Sequence, residues 1–123
     1  MKVILLLCFF AFVGHSGFAQ TQLSSLPSGR YETIVKETGE KWKQGDIILL
    51  DASQYKISSN NEVGEYKFSA TAQRIFFISG PLKTVFAKAV MNANKPAIVL
   101  PAAENEQQGS KLATADVVAY FKN

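Results

Sequence analysis

From Gly29 onward the chain is written in short runs of β-branched and aromatic residues, broken by turn residues at intervals of about 8–12 positions. That rhythm predicts an all-β fold: a small antiparallel β-barrel or β-sandwich of six to eight strands. With 123 residues in total there is room for one domain, and it is placed at 29–123.

The individual runs are legible. Arg30–Lys36 alternates, with Tyr31, Thr33 and Val35 on one face and Glu32, Ile34 and Lys36 on the other. Glu37-Thr38-Gly39-Glu40 and Gln44-Gly45 read as turns, and Asp46–Leu50 follows as a strand. Tyr55-Lys56-Ile57-Ser58 and Tyr66-Lys67-Phe68-Ser69 are near copies flanking a turn-prone Ser59–Gly64 segment. As an antiparallel hairpin they put Tyr55, Ile57, Tyr66 and Phe68 on one face and Lys56 and Lys67 on the other. Arg74–Ser79 is the most hydrophobic strand and is halted by Gly80-Pro81. Lys83–Met91 continues β-like, with a short helical turn over Ala87–Asn94 as the alternative. Pro96–Leu100 reads as a strand, Ala102–Lys111 as a polar loop, and Ala113–Lys122 as a last strand despite its helix-forming alanines.

The first residues follow a different pattern. Met1-Lys2 is positive, Val3–Val13 is an unbroken run of eleven apolar residues, and Gly17 and Ala19 occupy small-residue positions. That is the layout of a signal peptide over 1–19, cleaved after Ala19. A run of eleven falls short of the roughly 20 residues that span a bilayer. The expectation is a secreted or periplasmic protein, with Gln20–Ser28 as a flexible N-terminal lead. Cys8 lies inside the apolar run rather than after it, which argues against lipid attachment there.

Cleavage removes chemistry as well as length. Cys8 and His15 are the only cysteine and the only histidine, so the remaining 104 residues hold neither thiol nor imidazole. Nucleophile–histidine catalysis, Cys/His zinc sites, haem ligation and disulfides are thereby excluded. No phosphate loop or dinucleotide fingerprint is written in the chain, and no cofactor or metal is expected. Twelve basic against ten acidic residues are left, mostly scattered singly, without the clustered stripe of a nucleic-acid binder. The longest mature apolar runs, such as Ile75–Ile78 and Ala97–Ala103, are far too short to span a membrane as helices.

Gly29-Arg30-Tyr31, Gly45–Leu49, Gly64-Glu65-Tyr66 and Ile75–Leu82 occur in an order that resembles small exported bacterial β-meander proteins of unassigned function. The Gly-x-aromatic opening is also similar to lipocalin-like domains. The resemblance spans about Gly29 to Leu82. It departs from lipocalins in having Tyr31 where they generally have Trp, and in a length short for a full ligand cup. It implies a β-barrel and, on the lipocalin side, a carrier of a small apolar ligand.

Three sets of residues are candidates for function. Trp42 between Lys41 and Lys43 would, if its indole were exposed, stack on a sugar, a base or a partner side chain. The alternative is a Trp folded back onto the core with both lysines in water. Tyr55, Tyr66, Phe68 and Phe77 would either line a ligand cavity or simply form core. Asp46, Asp51, Glu104 and Glu106 are the carboxylates a glycosidase-like hydrolase would need, although turns and solvent account for them more simply. The reading that follows is a non-enzymatic binding or structural module whose partner is a protein, a glycan or a small apolar ligand. The lipocalin-like carrier stands second and the carboxylate hydrolase third.

Overall fold

The structure, a computed structural model, describes residues 22–122. The expected signal peptide lies outside them. Eight strands run in chain order: β1 (Gly29–Val35), β2 (Ile47–Leu49), β3 (Gln54–Ile57), β4 (Gly64–Ser69), β5 (Arg74–Phe77), β6 (Phe86–Asn92), β7 (Lys95–Leu100) and β8 (Val117–Lys122). Each pairs antiparallel with its neighbours, and β8 pairs with β1 to close the ring. The fold is therefore a closed eight-stranded up-and-down barrel. The closing ladder, from Arg30↔Lys122 to Val35↔Val117, is what distinguishes it from a sandwich.

Alternation decides what fills the barrel. Tyr31, Ile47, Tyr55, Tyr66, Ile75, Ala87, Ile98 and Ala119 point inward and are almost wholly buried. Tyr55 packs on Phe77 at 4.8 Å and meets Tyr66 edge-on at 6.4 Å between ring centroids. Lys56 and Lys67 lie on the opposite face of their strands from these tyrosines. An eight-stranded ring is just wide enough for side chains to occupy its interior. Here three tyrosines do so, and their hydroxyls donate to Pro27 O, Ser79 O and Asp51 O at 2.7–2.8 Å.

Both ends are plugged. At one end Leu23 and Leu26, only 7% and 9% exposed, turn into the core. Gln73 holds that segment by accepting from Leu23 N–H and donating to Leu23 O. The stretch expected to be a flexible lead is thus anchored from Leu23 on, because two leucines have an open barrel mouth to cover. At the other end Leu82, Val85 and Ala113 close the interior.

Three further details refine the expectation. Ala102–Gln107 within the expected polar loop is a short helix, α1, begun by Pro101. Its one buried residue is Asn105, whose amide accepts from Phe86 N–H and donates to Phe86 O and Pro101 O. Ala87–Asn94 forms no helical turn: β6 runs to Asn92, and Ala93 and Asn94, both at positive φ, make a two-residue hairpin turn to β7. The last segment is a strand, starting at Val117 rather than Ala113.

Candidate functional site

The end of the barrel that carries the β1–β2 loop and the β7–β8 connection bears three surface clefts of about 340, 350 and 490 Å³. The middle one holds the residues singled out in the sequence. Lys41, Trp42 and Lys43 form one wall, and Lys111, Leu112 and Thr114 of the β7–β8 connection form the other. Trp42 is held there by its backbone, which donates to Thr33 O and accepts from Gly45 N–H. The exposed-indole arrangement does not occur. Trp42 is 7% exposed and belongs to the core cluster, while Lys41 and Lys43 are in water. The sequence could not show this burial, because the covering loop lies some 70 residues downstream. A Trp42→Ala change will consequently unsettle the fold as well as the cleft.

Thr33, which accepts from Trp42 N–H, belongs to a polar lattice. Asp46 is buried and accepts from Thr33 N–H at 3.0 Å and from Arg30 Nε at 2.7 Å. Its own N–H donates to Ser58 Oγ, and Thr33 Oγ1 accepts from Ile47 N–H. Burial alone would raise the Asp46 carboxyl, but the Thr33 amide and the Arg30 guanidinium more than reverse that and leave it below its ordinary value. A carboxyl lowered by folding stabilises the fold above its unfolded pKa, near 4, and that contribution disappears as pH falls through the folded value. Asp46→Asn should therefore lower the unfolding free energy at pH 7 by about 1–2 kcal/mol. Urea titrations at pH 7 and pH 3 check this: the variant should lose less stability between them than the wild type does.

The other carboxylates are accounted for separately. Asp51, at the far end of β2 from Asp46, accepts from Ser53 and Gln54 N–H in a turn, and those bonds lower its carboxyl. Glu104 faces Lys88 at 3.5 Å, and Glu106 borders a cleft. Among the described residues no group of three or more His, Cys, Asp or Glu is placed to hold a metal.

Tyr55, Tyr66, Phe68 and Phe77 come together on the interior face, where they pack as core. Burial, above all, raises all three interior phenols, Tyr55 to about 12, so each stays protonated and donates its hydroxyl. The Tyr55 oxygen also accepts from Leu82 N–H at 2.8 Å, tying the β5–β6 loop down over the interior.

One surface escaped the sequence reading. On the outer wall of β4–β6, register aligns Lys67, Phe76 and Phe86 in one row and Ser69, Arg74 and Lys88 in the next. The Arg74 guanidinium carbon lies 4.4 Å from the Phe76 ring centroid and 3.9 Å from that of Phe86. Arg74 Nε is buried without a hydrogen-bond partner. The spacing of two between Arg74 and Phe76 was the available signal, since it sets both on one face of a strand.

No known protein family, curated protein or solved structure matches the chain.

Proposed function

We propose that the protein is an exported, non-enzymatic binding module that recognises its partner with the outside of a filled barrel. The observation that carries this is the interior. Tyr31, Tyr55, Ile75 and Ile98 have no measurable exposure, so no water-sized void touches them. The three tyrosine hydroxyls are already committed to backbone carbonyls. An apolar ligand would have to displace these side chains and leave buried carbonyls unpaired, at about 1–3 kcal/mol each. Export rests on the signal-like pattern of residues 1–19, with Gln20 as the expected N-terminus of the mature chain.

Native mass spectrometry of the protein purified from its expression host tests the reading. The expected result is the mass of the bare chain starting at Gln20, with no enhancement of an apolar fluorescent probe. A stoichiometric lipid in the barrel would make the lipocalin-like carrier the better description.

A further inference from the structure

We infer that the outer wall of β4–β6 is a docking surface for an acidic peptide segment of a partner protein, with Arg74 as its carboxylate fork. This deepens the binding-module reading and rests on it. The wall combines features that simple solvation of a sheet face does not require. Phe76 and Ile78, on the outside of β5 and just beyond it, are 41% and 43% exposed. Around them stand Lys67, Arg74 and Lys88, with the exposed Glu65 beside Ile78; of the three cations, Lys88 alone has a carboxylate partner, Glu104, among the described residues.

Arg74 is the organised element. Two phenyl rings pack against its guanidinium, which limits its rotamers. The edge carrying its terminal nitrogens has no acceptor among the described residues. That edge is a planar pair of donors, the geometry that matches a carboxylate two bonds at a time. The fork is therefore ordered before the ligand arrives, so less side-chain entropy is lost on binding.

The chemistry selects among anions. Three cations at about 1 kcal/mol each hold a protein only weakly on an anionic membrane, whose basic recognition clusters usually number four to eight. A glycan would call for a free ring face, and Arg74 occupies the faces of Phe76 and Phe86 turned toward it. A closed ring offers no edge to which a peptide could add as a strand, so recognition falls to side chains. A peptide with alternating acidic and apolar residues meets both halves of the surface: carboxylates at Arg74 and Lys67, apolar groups at Phe76 and Ile78.

A fluorescein-labelled decapeptide alternating Glu and Leu serves as the probe, with its Gln/Leu counterpart as control, read by fluorescence polarisation. The wild-type protein should bind the Glu/Leu peptide and bind the Gln/Leu peptide about tenfold more weakly. Arg74→Gln should lose about tenfold in affinity. Arg74→Lys should fall between, because it keeps the charge without the fork. Lys67→Gln, at an exposed position, should weaken binding about two- to threefold with the melting temperature unchanged, which guards against loss of fold at Arg74. Equal binding of the two peptides, undiminished binding by Arg74→Gln, or preference for oligogalacturonate or for vesicles containing anionic lipid would overturn the assignment. Any of these results would leave external recognition standing, because that reading fails only if an apolar ligand occupies the interior.

Discussion

Phe77→Ala should lower the unfolding free energy by about 3–5 kcal/mol, the usual loss when a large aromatic is removed from a core. Phe77 lies opposite Tyr66 in the β4–β5 ladder and packs against Tyr55. Its removal therefore opens a void against two rings whose hydroxyls are tied to backbone carbonyls and which cannot shift to fill it. In a domain of this size the melting temperature should fall by more than about 10 °C. Lys67→Ala, on the outward face of β4, should stay within about 0.5 kcal/mol. Denaturant titration of both variants decides the register. Slipping either strand by one residue would exchange inward and outward positions and bring the two effects together.

Gly64→Ala should cost about 3 kcal/mol, toward the upper end for added bulk in a packed site. Gly64 has an ordinary backbone conformation, so its requirement is steric. A Cβ there would fall 2.6 Å from Tyr55 Cε1 and 2.8 Å from Gly80 Cα, and would also strike Ser79 O. Two of these obstacles are backbone, and the third is the ring that bridges Ser79 and Leu82. Gly39→Ala is the comparison. Nothing lies within 4 Å of its Cβ position, but its φ of +74° sets a conformational penalty of about 1–2 kcal/mol. Gly64 should prove the more sensitive position by circular-dichroism melts; the reverse order would refute the close approach of β4 to the β5–β6 loop.

The all-β class and most strands were legible because period-two alternation and turn residues are local signals. Arg74–Phe77 stood out by an equally local signal, its continuous apolar run halted at Gly80-Pro81. The unreadable parts depend on distant chain. Helix α1 buries only Asn105, so it shows no apolar period despite its Ala and Glu residues. The β6–β7 turn uses Ala93-Asn94 where Asn-Gly is the usual signal, so the segment kept a helical alternative. Leu23 and Leu26 are two leucines in a polar stretch until a barrel mouth is placed beside them. Trp42 is the same case at the opposite mouth. Arg74 was read as the start of a strand, and its significance emerged only when Phe86 was brought alongside by pairing.

The ring is not equally strong around its circumference. β3 and β4 share only two paired positions, Gln54↔Glu65 and Tyr55↔Gly64, whereas β1 and β8 share six. Thermal opening should therefore begin between β3 and β4, and their amides should exchange with solvent well before those of the β1–β8 ladder. Once parted there, the molecule becomes an open eight-stranded sheet with two unprotected borders, the kind of template on which other chains assemble. Tyr55, reaching from β3 past Gly64 to Ser79 and Leu82, acts as the clasp at that gap. Weakening the clasp should bring self-association before global unfolding.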